Sequence, residues 1–331
     1  MTLRSLPLFV PKTIETIAIL ALFASGVLAK DSKSPSVTPP VFHKIDFLRT
    51  PTLPPTRQKF PSESATRELG KILFNDPRLS HSGKLSCQSC HMPEFDWVDG
   101  KPRSIEQGSR RSMPLWNLAW DNRFTWSGRA GSIASQSILA ATAQLGMNSD
   151  LESASRVYAA DPKLAQLFYK AFGKATASKK IIEPGHMALA LEMYVRSLVS
   201  PATRFDKWIA TGIGLNLTEQ KGFELFIGKG NCATCHSSWR FSDSDLHDIG
   251  LDEEPGAGAW LDGGLYKMKT PGLREVSKRV FFMHNGRFSD LAQVVNYYNV
   301  GGFFKRPSNE LKPLGLSAPE VEALTAFLKT L

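Results

Sequence analysis

The sequence is short of cysteine, of long apolar runs and of concentrated charge. Lysine and arginine total 40 against 31 acidic residues. This excess is scattered, so the basic stripe typical of nucleic-acid readers is missing and we expect no nucleic-acid partner. Beyond the N-terminus no apolar segment approaches the length of a membrane span. The 4 cysteines all belong to two short motifs, and none is left over.

The bulk composition is that of a globular protein. Hydrophobic residues make up 42% and aromatic residues 10% of the chain. This supplies ample material for packed cores and excludes a wholly disordered or collagen-like chain. At 331 residues, two domains are expected rather than one.

The first 60 residues predict export followed by a surface segment. Residues 1–29 contain Arg4 and Lys12, an apolar stretch over 17–27 and small residues up to Ala29, which is typical of a cleaved secretory signal peptide. An uncleaved N-terminal anchor is the alternative. Residues 30–60 form a Pro-rich leader, which we expect to lie extended over the surface or to be mobile.

Each cysteine pair precedes a histidine in the pattern CxxCH. The motifs are Cys87-Gln88-Ser89-Cys90-His91 and Cys232-Ala233-Thr234-Cys235-His236, the attachment sequence of c-type haem. Two thiols add to the haem vinyl groups, while the adjacent histidine binds the iron as proximal ligand. A zinc site of four thiolates and a pair of redox-active dithiols are the alternatives. Because a histidine after both pairs is improbable by chance, the sequence predicts two covalently bound c-type haems.

Apolar periodicity predicts helices, and no region is rich in strand signals. Helical patterns cover residues 69–74, 132–145, 151–172 and 187–199. The first of these helices is expected to stop near Asp76, before a proline. A later helix is expected to be capped by Thr218, with Glu219 in its first turn. The last helix opens at Ser317, with Glu320 in a capping-box spacing.

Residues 200–214 separate two predicted domains. Pro and Gly punctuate this segment and a fresh helix start follows it, which is typical of an interdomain connection. The sequence therefore predicts an all-α fold, with an N-terminal domain over 61–200 and a C-terminal domain over 201–331. Each domain is expected to wrap around one haem.

Four further stretches complete a recognisable arrangement. They are residues 69–80, Trp126-Ser127-Gly128-Arg129-Ala130, residues 269–274 and His284-Asn285-Gly286. Together with the two CxxCH motifs they resemble the bacterial diheme cytochrome c peroxidase family, which includes the MauG-type protein-modifying enzymes. The likeness covers residues 69–331. It implies two cytochrome c-like domains, a periplasmic location and an oxidoreductase.

The resemblance also implies a division of labour between the haems. In that family the N-terminal haem binds hydrogen peroxide, and the C-terminal haem takes and stores electrons. Electrons would come from a small cytochrome c, a cupredoxin or a protein substrate, and family members often pair as homodimers. By motif position Trp126 corresponds to the tryptophan between the haems. An ordinary core tryptophan is the alternative.

The distal side of the first haem is expected to be open. Peroxide chemistry requires a free coordination position on one iron. Several peroxidases of this family place a removable histidine over the N-terminal haem, but no histidine occurs here between His91 and His186. The resemblance therefore implies a five-coordinate first haem at rest, as in MauG-type enzymes.

On the second haem the family's methionine position falls on Tyr298. A tyrosine phenolate would lower the haem potential, again as in MauG-type enzymes. Tyr297 is the alternative if the alignment slips by one residue. Met283 and Met268 are thioether alternatives, of which Met283 looks like a packing residue. His284 is expected in the haem environment and not as a ligand.

One departure from the family affects catalysis. The distal pocket usually pairs a glutamine with a glutamate ten residues later, which acts as acid and base during O–O cleavage. Gln136 matches the glutamine, but the glutamate position is Gly146. General acid–base help is typically worth about 10²–10⁴-fold. The candidate substitutes are Glu152, Asp150 and a water held by Gln136.

Two more positions differ from the family pattern. The aspartate that usually follows the bridging tryptophan is Ser127, and the asparagine expected to bind an interdomain calcium ion is Ser112. Calcium could still bind through backbone carbonyls.

Three functions are consistent with the sequence. The first is a peroxidase-like enzyme, the second a MauG-type enzyme that oxidises a residue of another protein, and the third a diheme electron carrier. Gly146 favours the carrier, whereas the open first haem and Tyr298 favour the MauG-type enzyme. Because family membership favours an oxidase, the peroxidase-like enzyme ranks first.

Overall fold

The computed structural model describes residues 40–56, 58–104, 110–173, 182–251 and 266–331. Nine α-helices and one pair of two-residue strands lie within these ranges, which confirms the all-α prediction. None of the helices in these ranges is long and apolar enough to cross a membrane. The predicted signal peptide and residues 30–39 of the predicted leader lie outside the described residues.

The helices fall into two groups along the chain. The N-terminal lobe contains α1 (Glu63–Asn75), α2 (Ile133–Thr142), α3 (Leu151–Ala160), α4 (Pro162–Phe172) and α5 (Pro184–Arg196). The C-terminal lobe contains α6 (Arg204–Thr211), α7 (Leu217–Ile227), α8 (Leu291–Asn299) and α9 (Ala318–Leu328). Strands β1 (Leu246–His247) and β2 (Met268–Lys269) pair antiparallel in the C-terminal lobe.

Several helix predictions are confirmed. The patterns over 132–145 and 187–199 are present as α2 and α5. The predicted capping box opens α9, where Ser317 and Glu320 exchange hydrogen bonds between side chain and backbone. These signals predict the helices correctly because they depend only on residues that are close together in the sequence.

Helix ends follow local capping residues. Helix α1 begins after Ser62, whose side chain accepts a backbone N–H, and ends at Asp76 as predicted. The prediction of one helix over 151–172 is wrong, because Asp161 caps a second helix that opens with Pro162. Proline fits the first turn of a helix but would disrupt the interior of a longer one.

The segment between the lobes is more ordered than expected. Residues 200–214 were expected to be a plain connection, but they contain α6, which a capping box of Thr203 and Asp206 opens. The next helix is capped by Asn216 and not by Thr218. The asparagine carboxamide reaches the free N–H groups one turn ahead, so the helix starts two residues earlier than predicted.

A close helix crossing recurs in both lobes. Where α1 meets α5, a Cβ atom on Gly70 would lie 1.9 Å from the carbonyl oxygen of Ala190. Where α7 meets α9, a Cβ atom on Gly222 would lie 2.0 Å from the carbonyl oxygen of Ala323. Only glycine permits backbones to approach so closely. In each lobe the first helix of the crossing precedes the CxxCH motif and the second follows it, so the two lobes share this arrangement.

Each lobe has its own hydrophobic core. The first core draws its residues from 69–198, and the second draws most of its residues from 205–331. Phe47 of the predicted leader is fully buried in the second core, with its ring stacked 5.2 Å from that of Phe241. This part of the leader is therefore fixed in a core and does not merely lie over the surface.

Candidate haem sites

The first CxxCH motif forms a tight turn with a fixed histidine. Cys87–Ser89 is one turn of 3-10 helix, and the Nδ1 atom of His91 lies 2.8 Å from the carbonyl oxygen of Trp97. A backbone acceptor on Nδ1 sets the tautomer and leaves Nε2 for a metal. Burial lowers the pKa of His91 below its ordinary value, so the ring is neutral, as an iron ligand requires.

The second motif repeats this geometry. Cys232–Thr234 is again a 3-10 turn, and Nδ1 of His236 lies 2.9 Å from the carbonyl oxygen of Phe241. Burial lowers the pKa of His236 to about 4. Both histidines are therefore held neutral with Nε2 available, which is the arrangement a proximal haem ligand needs.

The thiols do not fit the alternative chemistries. Burial raises the pKa of Cys87 and of Cys232 to about 12, whereas a redox-active dithiol needs an accessible thiolate. Within the described ranges, one group of three or more donors could hold a metal ion: Cys235, Asp243 and His247. It contains no second cysteine, so the four thiols do not converge on a common zinc ion.

Buried donors around the first motif also fit a haem. The indole N–H groups of Trp97 and Trp116 and the Nε–H group of Arg111 are buried and have no hydrogen-bond acceptor among the described residues. Unpaired buried donors are costly. A haem carries two carboxylates that can accept such bonds, so these residues suit its polar edge.

Trp126 lies where the two lobes meet. Its side chain is 7% exposed, and its Nε1–H group donates to the carbonyl oxygen of Arg111 at 2.8 Å. Its own carbonyl accepts a 2.6 Å bond from the Lys269 N–H group of the C-terminal lobe. Its ring centroid lies 6.1 Å from that of His284, so His284 of the C-terminal lobe is next to Trp126.

The expected distal residues of the first site occupy α2 and the turn after it. The side-chain oxygen of Gln136 is buried without a hydrogen-bond partner, which suits a residue that faces a bound group. Gly146 is half-buried in the turn. Of the two candidate carboxylates, Asp150 caps α3 and Glu152 is exposed on the same helix.

Sequence reasoning missed one carboxylate near this helix. Glu192 on α5 accepts a 3.1 Å hydrogen bond from the N–H group of Ala134, in the first turn of α2. An anion at a helix N-terminus is stabilised there. No sequence signal marks Glu192, because only the packing of α5 against α2 brings it to this position.

The two tyrosines of α8 have different environments. The Tyr297 hydroxyl donates a hydrogen bond to the carbonyl oxygen of Ile249. Burial, and then electrostatic interactions with Tyr297, Cys235 and Cys232, raise the pKa of Tyr298 far above its ordinary value. Tyr298 therefore lies within electrostatic range of the second CxxCH motif, and its phenol keeps its proton unless a metal displaces it.

The two methionine alternatives are held in defined backbone positions. Met268 is part of β2 and pairs with His247 across the strand pair. Met283 has a positive φ of 64° in the turn before His284. A left-handed backbone at a non-glycine residue is uncommon, and this turn fixes Met283 and His284 together.

Charged groups are buried around the position expected for calcium. The Ser112 hydroxyl lies 3.4 Å from a carboxylate oxygen of Asp99. Arg279 pairs with the fully buried Asp96. The neighbouring Arg111 has its pKa lowered to about 10, mainly by burial and then by Arg279. Two acidic and two basic side chains thus balance one another here.

The likeness of the two sites defines a c-type cytochrome with two haems, one in each helical lobe. A family model described as di-haem cytochrome c peroxidase matches residues 64–212. The methylamine utilization protein MauG of Methylorubrum extorquens is 40% identical over 276 residues, which cover 80% of this chain and 77% of that protein. The cytochrome-c peroxidase IdrP1 of Denitromonas iodatirespirans is 32% identical, with 80% of each chain covered.

The chain belongs to the di-haem cytochrome c peroxidase family, and it is an oxidoreductase of the peroxidase type. Its fold agrees with this assignment. The crystal structure of the diheme peroxidase BthA from Burkholderia thailandensis is similar with a TM-score of 0.69 and 22% identity, covering 86% of this chain and 88% of that one.

Proposed function

We propose that the chain reduces hydrogen peroxide to water in its N-terminal lobe, with electrons that enter through its C-terminal lobe. The overall step is H₂O₂ + 2e⁻ + 2H⁺ → 2H₂O. A bound c-type haem supplies redox-active iron to each lobe. The observation that carries the proposal is the repeated CxxCH geometry, in which His91 and His236 each present Nε2.

The residues of the N-terminal lobe would prepare the peroxide side. His91 is held by the Trp97 carbonyl at 2.8 Å, and no histidine of the segment from 92 to 185 is available as a distal ligand. Gln136 would orient peroxide through its unpaired buried carbonyl. Trp126, in contact with both lobes, would conduct electrons between them.

Tyr298 is proposed as the distal ligand of the second site. Its environment supports this role over Tyr297, whose hydroxyl is already bonded to Ile249. Binding must displace the phenol proton, because burial opposes ionisation of Tyr298. An anionic ligand would lower the potential of that site and favour the storage of oxidising equivalents.

Tyr298→Phe is expected to change the ligand field of one haem in the purified holoprotein. The loss of an anionic ligand should raise the midpoint potential of that haem and shift its electron paramagnetic resonance signal. Tyr297→Phe is the matched control. It removes a hydroxyl that donates to a backbone carbonyl, so we expect about 1 kcal/mol lower stability and unchanged haem signals. Unaltered signals in Tyr298→Phe would refute the ligand assignment.

A MauG-type function is the second candidate. In that case the oxidised protein takes its electrons from a residue of another exported protein and not from a small cytochrome c or cupredoxin. Tyr298, the open first site and the 40% identity to MauG favour it. A third candidate, a diheme electron carrier, is favoured only by Gly146.

Location, partners and domain limits follow the same proposal. We propose that residues 1–29 export the protein to the periplasm and that its domains span 61–200 and 201–331. Homodimerisation is consistent with the family, whose members often pair. The two separate cores support the boundary near residue 200, and Phe47 of the leader joins the second core. Calcium is allowed in this proposal, because a buried carboxylate oxygen of Asp99, the residue beside Ser112, has no hydrogen-bond partner among the described residues.

The test is a peroxide titration of the intact holoprotein. A pyridine haemochrome assay should give two c-type haems per chain, and stoichiometric peroxide should shift the absorption spectrum of the diferric protein. Steady-state assays with a reduced small cytochrome c and with a candidate protein substrate then separate the first two functions. If millimolar peroxide leaves the absorption spectrum unchanged, electron transfer is the only one of the three functions that remains.

A further inference from the structure

Two pairs of tryptophan rings lie edge to face, one pair within the N-terminal lobe and one pair between the lobes. Trp97 and Trp116 have ring centroids 5.7 Å apart at an interplanar angle of 90°. Trp120 and Trp239 have ring centroids 5.0 Å apart at 89°. The second pair joins the two lobes, because Trp120 belongs to the N-terminal lobe and Trp239 to the C-terminal lobe. Trp126 belongs to neither pair.

Each end of this set adjoins a proximal histidine. The carbonyl of Trp97 is the acceptor that orients His91. Trp239 lies between His236 and Phe241, the residue whose carbonyl orients that histidine. One tryptophan pair therefore starts at the proximal turn of the first site, and the other pair ends at the proximal turn of the second.

The contact between the lobes is clamped by buried charges. Asp121, next to Trp120, pairs with Arg240, next to Trp239. The Nζ atom of Lys269 lies 2.5 Å from the second carboxylate oxygen of Asp121, and the side chains of Asp121 and Lys269 are 5% and 2% exposed. Breaking such a buried pair is costly, so the two rings are held at a fixed separation.

The middle of the set is also fixed. Trp116 and Trp120 are four residues apart, so their Cα atoms are separated by at most about 14 Å. Asn117 exchanges hydrogen bonds of 2.9 and 3.0 Å with Ser200, and Leu118–Trp120 forms a 3-10 turn. The indole ring is one of the most easily oxidised side chains. Within each pair the rings are close enough to exchange single electrons, and between the pairs the short chain segment limits the length of the step from Trp120 to Trp116.

We propose that these rings form a second electron path between the lobes, separate from Trp126: Trp97, Trp116, Trp120 and Trp239. The proposal rests on the proposed peroxide reduction, which supplies the oxidant. Electrons move from Trp239 towards Trp97, and each ring is refilled by the ring behind it. When no donor refills Trp239, the path ends in ring oxidation: TrpH + H₂O → TrpOH + 2e⁻ + 2H⁺. With the peroxide step the sum is TrpH + H₂O₂ → TrpOH + H₂O.

The test is peptide mass spectrometry of the holoprotein after excess peroxide without donor. Oxygen addition is expected at Trp120 and Trp239, at least 5-fold above that at Trp208, a half-buried tryptophan of the second core that lies outside the path. Trp116→Phe should lower the oxidation of Trp239 at least 5-fold, and Trp116→Tyr, which keeps an oxidisable ring, should restore part of it. Trp126→Phe should leave the oxidation of Trp239 unchanged.

The outcomes separate the path from the proposed function. Oxidation of Trp239 that survives Trp116→Phe, or that disappears in Trp126→Phe while the haem content stays at two, overturns the path alone. An absorption spectrum unmoved by peroxide overturns the proposed function, and the path with it. Trp208→Phe controls for nonspecific effects of losing an indole, and it should leave the oxidation of Trp239 unchanged.

Discussion

Gly146→Glu is expected to raise the rate of peroxide reduction by about 10²–10⁴-fold. The substitution places a carboxyl group ten residues after Gln136, which is the offset that the family uses for acid–base assistance. The backbone at Gly146 is not in the left-handed region, so its conformation is open to a residue with a side chain, and the residue is half-buried. Stopped-flow mixing of the diferric holoprotein with peroxide measures the rate.

Gly146→Gln is the matched control for this change. It has nearly the same shape but no ionisable proton, so it should leave the rate within a few-fold of the original. If Gly146→Glu accelerates the reaction by less than about 10-fold, or if both variants accelerate it equally, acid–base help already comes from another group. Glu192, which is bonded to the first turn of α2, would then be the first residue to replace.

Asp206→Ala is expected to lower the free energy of unfolding by about 3–5 kcal/mol. Its carboxylate accepts bonds of 2.5 and 2.8 Å from the guanidinium of Arg274, whose side chain is only 1% exposed. Without Asp206 the charge of Arg274 is buried and unpaired. The same substitution removes the capping box at Thr203, which adds about 1 kcal/mol.

Urea unfolding of the holoprotein, followed by far-ultraviolet circular dichroism, measures this loss. Glu224→Gln is the control, because it breaks an exposed ion pair in which the side chains of Glu224 and Lys221 are 65% and 58% exposed. It should lower the free energy of unfolding by no more than about 0.5 kcal/mol. Thr203→Ala isolates the capping contribution. A loss below about 1 kcal/mol for Asp206→Ala would mean that Arg274 finds another partner or water.

Residues that act within one turn of the chain were predictable. The CxxCH spacing, the stop of α1 at Asp76 and the capping box at Ser317 depend on neighbours in sequence. The missed helix α6 shows where such reasoning fell short, because Thr203 and Asp206 have the spacing of a capping box but lie among Pro and Gly residues that suggested a loop. The helix break at Pro162 could also have been predicted from the proline, but the apolar periodicity on both sides of it suggested one continuous helix.

Residues that meet across the fold were not predictable in this way. Phe47 lies in a Pro-rich segment that looks peripheral, yet it is buried among phenylalanines more than 150 residues away in sequence. The contact of Trp120 with Trp239 and the pairing of Arg279 with Asp96 join the two lobes. No local pattern encodes these contacts, because each depends on how whole helices and loops pack.

The sequence by itself determined two haem attachment motifs from their spacing and an all-α fold from its periodicity, and the family resemblance marked Gly146 as the position of the missing glutamate. The tertiary structure alone decided which backbone carbonyls orient His91 and His236, which tyrosine of α8 donates its hydroxyl to the carbonyl of Ile249, and which rings connect the lobes. The physical reason is range: covalent attachment and capping act between near neighbours, whereas orientation, burial and ring contacts arise only when distant segments are packed together.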